Sequence, residues 1–231
     1  MPSSARTYGQ FCGLARALEI VGERWSLLVI RDLMLGPKRF TDLQQTLPRI
    51  PVSILTSRLN ELEESGVIRR RVLSQLDAGV VYELTEYGCE LDHIVLDLGL
   101  WGARSLTYPR ADEVYTLDTA IISLYTTFQE EAAAGVHVNY ELHHLGGEMI
   151  VHAMVDDGSL KASAGSLPAA DLVIEPQGPA VLDLLTGSLS AQDAISSGKV
   201  RVQGDPAHLD LFTRLFRIPP APERPTGLVA H

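Results

Sequence analysis

Two cysteines in 231 residues, Cys12 and Cys89, are too few for a disulfide framework. The chain does not open on a charged stretch followed by an apolar one, so a secreted protein is not expected, and the reading is cytoplasmic. No apolar run approaches the ~20 residues that span a bilayer. A nucleophile elbow, a phosphate-cradling glycine loop and a carboxylate pair beside a base are all missing, which argues against an enzyme and against a bound cofactor. His137, His143, His144, His152 and His208 share no ligand-pair spacing on one helix. His143 and His144 fall on opposite faces of a strand and cannot chelate one ion together, so no metal is expected.

An overall basic excess is also lacking, since the net charge is −10. That deficit is local. Residues 1–110 hold 13 basic and 13 acidic side chains, and the remaining 6 of 19 basic and 16 of 29 acidic residues lie beyond. Between Arg24 and Arg71 nine basic residues face five acidic ones. A phosphate-binding surface is therefore expected on the first half, while the second half repels phosphate and anionic lipid.

Within that basic stretch the pattern is a short helix (Phe40 to Leu47), a Pro48-Arg49-Ile50-Pro51 turn, a second helix (Val52 to Glu64), Gly66 and two strands. This order predicts a winged helix-turn-helix whose second helix enters the major groove of duplex DNA. Two helices precede it. Leu14, Leu18 and Val21 mark the first, which ends at Gly22, and Trp25 to Leu35 gives a second that is apolar nearly all round and suits the middle of the core. Thr41 with Gln44 reads as a capping box for the third helix. In the fourth, Leu55, Leu59 and Leu62 form the buried seam; Ser53, Ser57 and Asn60 lie opposite, with Thr56 on the flank. These four are the base-edge candidates, and Asn60 can meet adenine in bidentate fashion.

Arg49 on the turn and Arg58 beside the seam are candidate phosphate contacts, although Arg58 can equally pair with Glu61 or Glu63. Strands Val67 to Leu73 and Val80 to Leu84 form the wing, where Arg69, Arg70 and Arg71 would bind phosphate without regard to sequence. A last helix, Glu86 to Ser105 with Thr85 as cap, carries more apolar surface than one domain needs. It predicts a homodimer formed through this helix and the first one.

The residues Cys12, Leu18, Gly22, Trp25, Leu27-Leu28, Arg31-Asp32-Leu33, Gly36-Pro37, Arg39-Phe40, Leu43, Leu55, Arg58-Leu59, Leu62, Gly66, Tyr82, Leu84-Thr85, Gly88 and Trp101-Gly102 resemble the HxlR-type regulators. The resemblance runs over about residues 10–106 without a gap. It implies a dimeric winged helix-turn-helix that binds an inverted repeat and answers a chemical signal. Pro51 departs from the Ser or Thr that many relatives place before the recognition helix, and the wing tip carries Asp77, which disfavours deep minor-groove insertion. Some relatives sense oxidants or electrophiles through an N-terminal cysteine, the place of Cys12. Arg16 one turn along could lower its pKa, and a small buried hydrophobe is the alternative.

Beyond Pro109 an amphipathic helix (Leu117 to Phe128) precedes strands near Val136–Leu142, Glu148–Val155, Leu160–Ala164 and Ala170–Glu175. Helices Pro179–Thr186 and Ser190–Ser196, a strand Val200–Gln203 and a helix capped by Asp205 follow. Ala170 to Ile174, Leu185-Thr186-Gly187, Leu189-Ser190, Ala194, Ser197-Gly198, Val200, Val202 and Gly204-Asp205-Pro206 resemble the sterol carrier protein type two fold, over about residues 115–217. That resemblance implies an apolar tunnel for a lipid-like ligand. Its lining candidates, chosen for their apolar faces, are Phe128, Leu182, Leu185, Leu211, Leu215 and Phe216; ordinary core is the alternative for each.

The expected fold class is α+β: a mostly helical winged unit (1–110) plus an α/β sterol-carrier-like sandwich (111–218) and a Pro-rich tail (219–231). The expected function is a dimeric regulator, most simply a repressor, responsive to an apolar effector. The competing readings are a lipid carrier whose first domain only dimerises it, and a regulator that senses through Cys12.

Overall fold

The computed structural model describes residues 7–73, 79–110 and 113–222. Asp77, and most of the Pro-rich tail, lie outside them. The chain divides into two compact units, Met1–Leu96 and Asp97–His231.

In the first unit, helix α1 (Gly13–Val21) buries Ala15 and Val21 but leaves Leu14 and Leu18 exposed. Only one end of the expected stripe enters the core. Helix α2 (Ser26–Leu33) starts at Trp25, whose φ of 84° is left-handed, and buries Val29, Ile30 and Leu33 while Leu28 stays at the surface. A two-residue strand β1 (Lys38–Arg39) leads into helix α3 (Phe40–Thr46). The expected Thr41–Gln44 cap does not form. The N-cap is Arg39, two residues before Thr41, and the Asp42 side chain reaches back to accept the Arg39 N–H at 2.8 Å.

Helix α4 (Val52–Glu64) follows the tight turn. Pro51 is its N-cap, and its carbonyl accepts the Leu55 N–H at 2.9 Å. Leu55, Leu59 and Leu62 are fully buried against Ile30, Leu43 and Ile68, as the periodicity predicts. Strands β2 (Ile68–Val72) and β3 (Val80–Leu84) pair antiparallel, and β1 adds to the other side of β3.

The long final helix expected from Glu86 is two helices, α5 (Glu86–Cys89) and α6 (Asp92–Ala103). Thr85 does cap the first, accepting the Gly88 N–H at 3.0 Å. Gly88 explains the joint. A Cβ there would stand 2.1 Å from the Val67 carbonyl oxygen, so the chain packs backbone to backbone and turns tightly, with the Leu91 N–H bonding back only three residues to Gly88. The division between the two units falls inside α6.

The second unit opens with helix α7 (Leu117–Thr127), capped by Thr116. Strands β4 (His137–His144), β5 (Met149–Asp156), β6 (Ser159–Ala164), β7 (Leu172–Pro176) and β8 (Val200–Gly204) form one sheet in the order β6-β5-β4-β7-β8. The β4–β7 pair is parallel and the others antiparallel. Helices α8 (Ala180–Thr186), α9 (Ala191–Ser196) and α10 (Ala207–Leu215) complete the unit. Ser190 caps α9 as expected; at α10 the N-cap is Pro206 rather than Asp205, which stands one residue before it and accepts the Ala207 N–H at 2.9 Å.

The core side of the sheet carries Tyr140, Leu142, Leu172 and Ile174, all fully buried. On the other side the Glu141 carboxylate, 6% exposed, bonds His143 and the Leu167 N–H of the β6–β7 crossover. Burial works to raise this carboxyl group. The two hydrogen bonds overcome that cost and hold it below the ordinary carboxylate range.

Candidate nucleic-acid interface

The recognition helix α4 presents Ser53, Thr56 and Asn60 as exposed residues, with Ser57 half-buried beside them. Arg49 is exposed on the preceding turn. Thr56 donates its hydroxyl to the Val52 carbonyl at 2.9 Å, and Ser57 donates to Glu61 at 2.9 Å. Both hydroxyls thus keep their acceptor sides toward solvent.

Arg58 takes the carboxylate option rather than the phosphate one. Its guanidinium is only 11% exposed, meets Glu61 at 2.8 and 2.9 Å and reaches Glu23 at 3.5 Å. It ties the recognition helix to the α1–α2 turn, the pairing with Glu61 being one of the two options its sequence position offers.

The wing arginines are also held. Arg69 and Arg71 lie on one face of β2, as their alternation predicts, and each donates its Nε–H to a different oxygen of Glu83, at 2.8 and 2.9 Å. Hydrogen bonds from Arg69, then Arg71, keep the Glu83 carboxyl below its usual range. Arg70 points to the other face, where it meets Glu63 at 2.8 Å and Asn60 at 2.6 Å and lies over the Tyr82 ring at 5.7 Å. Glu83 was missed as a partner although the hairpin register makes it a cross-strand neighbour of Arg69. The site is thus a basic surface whose cations are pre-positioned by local carboxylates. Exposed pairs of this kind are weak in water, so a phosphate can displace them.

Cys12 is exposed and is the N-cap residue of α1. Hydrogen bonding from the backbone of Ala15, then Leu14, holds its thiol below the ordinary range. Arg16, the expected cause, is engaged elsewhere, with Glu19 at 2.7 Å. The exposed Cys89 shifts the opposite way, raised by burial and by Asp92 and Glu86.

In the second unit only Phe128 and Phe216 of the expected lining residues meet ring to ring. Leu185, Leu215 and Phe216 are buried, and Phe128, Leu182 and Leu211 are half-buried. The Phe216 ring lies 4.7 Å from Phe212, 5.7 Å from Phe128 and 6.2 Å from Tyr140. Phe128 and Phe216 also form a backbone bridge. A concavity of about 150 Å³ in this unit is polar, lined by His143, Gly146, Gly147, Glu175, Pro176, Gln177 and Arg201, and none of the six candidates borders it. In the first unit an apolar groove of about 220 Å³ runs between Ala17, Ile20, Val21, Val67, Leu91 and Ile94.

An exposed helix after a tight turn, beside a hairpin bearing three arginines, defines a winged helix-turn-helix regulator of transcription. The HxlR-like helix-turn-helix family matches residues 20–109, and the SCP-2 sterol transfer family matches residues 129–217. The uncharacterised HTH-type transcriptional regulator YtcD of Bacillus subtilis is 36% identical over 106 residues, 46% of this chain and 84% of its own. The HTH-type transcriptional regulator YodB of the same species is 39% identical over 85 residues, 37% of this chain and 76% of its own. The solved reduced form of YodB is matched at 35% identity, covering 42% of this chain and 95% of that one, with a TM-score of 0.38. The chain belongs to the HxlR-like helix-turn-helix family and carries a sterol-carrier-type second domain. No helix among the described residues is long and apolar enough to cross a membrane.

Proposed function

We propose that the protein is a dimeric repressor in which residues 1–110 read an inverted-repeat operator and residues 111–218 bind an apolar effector. The observation that carries this reading is the exposed α4 face flanked by Arg69, Arg70 and Arg71. Dimerisation is supported by apolar surface without a cover: Leu14 and Leu18 on α1, and Ile94, Leu98 and Trp101 on α6. A two-fold dimer sets two recognition helices about one DNA turn apart.

The effector role rests on the sterol-carrier family match, which suggests an apolar ligand. The Phe216 ring is fully buried against Phe128, Phe212 and Tyr140, so a ligand that reaches it must part these side chains. Such a ligand shifts the dimer between two states through the 101–110 connection, by as much as its affinity differs between them. Native mass spectrometry of the purified protein, followed by operator binding with and without any co-purified molecule, tests this. A dimer whose DNA affinity falls when the ligand is present supports it. Operator affinity that stays constant at saturating ligand ends the effector part.

A second reading, an oxidant or electrophile sensor, is favoured by one specific observation, the exposed Cys12 thiol at the N-cap of α1, held below its ordinary range. Unchanged release of DNA by benzoquinone or peroxide in Cys12→Ser would end it.

A further inference from the structure

We propose that Arg70 fixes the hydrogen-bonding polarity of Asn60, so that the recognition helix offers this asparagine to a base as a donor and favours guanine over adenine. The inference rests on α4 reading DNA, as proposed above.

An arginine can only donate, so the Asn60 atom 2.6 Å from Arg70 Nη2 must be the amide oxygen, Oδ1, and the Nδ2 amino group takes the other side. The contact is not an isolated one. Arg70 Nε meets Glu63 Oε2 at 2.8 Å, and the guanidinium lies over the ring of Tyr82, its register partner on β3. Three different parts of one planar group are therefore used, and the amide is held from the wing side. Asn60 itself is exposed on α4.

Bidentate recognition of adenine needs both ends of the amide, Oδ1 accepting from N6 and Nδ2 donating to N7. Here Oδ1 already receives a charged donor. Its second lone pair remains, but an adenine amino group brought to it would face the guanidinium cation, donor against donor. Guanine presents two acceptors, N7 and O6, at the same groove position. Asn60 Nδ2–H and the Arg70 N–H groups not used by Glu63 and Asn60 together form a donor array that matches them. The expectation that Asn60 reads adenine is thereby replaced by a preference set from a neighbouring element.

The test is selection of duplexes from a random-sequence pool by the full chain and by Asn60→Ala, Arg70→Met and Arg69→Met. The position whose preference disappears in Asn60→Ala is expected to be guanine for the unaltered protein. Arg70→Met frees Oδ1 and is expected to move the guanine-to-adenine ratio there by about tenfold toward adenine. Arg69→Met removes the same charge without touching Asn60, so it should weaken binding and leave the ratio alone. Adenine selected by the unaltered protein, or equal shifts in Arg70→Met and Arg69→Met, overturns the proposal. A motif unchanged in Asn60→Ala leaves the DNA reading standing and removes this inference. Failure to enrich any sequence removes both.

Discussion

Thr46 Oγ1 donates a 2.6 Å hydrogen bond to Oδ2 of Asp32, a carboxylate with no exposed surface. Arg31 occupies the other oxygen through Nε at 2.9 Å and Nη2 at 2.6 Å. Asp32 lies on α2 and Thr46 ends α3, so this link sets the helix that precedes the recognition helix. Asp32→Ala leaves a largely buried guanidinium without its carboxylate, and a loss of about 3–5 kcal/mol is expected. Thr46→Val removes one bond to a charged group and should cost about 1.5–3 kcal/mol. Urea unfolding of the two variants checks the order.

Glu83 competes with phosphate for Arg69 and Arg71. Glu83→Gln should therefore raise DNA affinity at low salt, by about thirtyfold at most, the limit set by two exposed ion pairs. Fluorescence anisotropy with a duplex of any sequence reads this out. Weaker binding by the variant would show that Glu83 orients the arginines more than it occupies them.

Replacing Arg69, Arg70 and Arg71 together with glutamine should flatten the dependence of DNA binding on salt, by roughly one unit of log–log slope per arginine that meets a phosphate. A lipid carrier with a merely dimerising first domain would show no DNA binding to lose. The comparison separates the two functions with one protein preparation.

His144 is buried beside the Tyr115 ring, and desolvation lowers its pKa from 6.5 to about 4. The folded state binds fewer protons at this site than the unfolded state between those values. Its contribution is therefore fully present above pH 6.5 and is lost as pH falls toward 4, by about 3 kcal/mol at most. Chemical denaturation at pH 7 and pH 5 should show a smaller difference for His144→Phe than for the unaltered protein.

Phe216→Ala should destabilise the second unit by about 3–5 kcal/mol, because the ring is fully buried among Phe128, Tyr140 and Phe212. The vacated space should bind an apolar dye such as N-phenyl-1-naphthylamine more tightly. A folded variant with no gain in dye binding would show that the surrounding side chains collapse inward.

Much of this architecture was legible because burial has a period. The Leu55, Leu59 and Leu62 seam marks α4, and the alternation of Arg69 and Arg71 marks a wing face. Periodicity says which face is apolar and not what it meets. The stripe of Leu14 and Leu18 looks like core in sequence and stays exposed, while Phe216 has the same signature as a ligand contact and lies fully buried among aromatic rings. Partners distant in sequence were invisible for the same reason: Arg58 meets Glu23 from the α1–α2 turn, and Asn60 meets Arg70 from the wing. The joint after Cys89 depends on one backbone contact, Gly88 against Val67, which leaves no trace in an apolar pattern.

The parallel pairing of β4 with β7 joins two strands that lie far apart in the chain. Strands β4, β5 and β6 are consecutive hairpins, but Tyr140 meets Leu172 only after the crossover has been traversed. Non-local closures of this kind slow folding, whereas the first unit is built mainly from short neighbouring helices. The amino-terminal unit also leaves the ribosome first. On the proposed reading, a newly made chain passes through an interval in which it can hold an operator but cannot yet hear a signal.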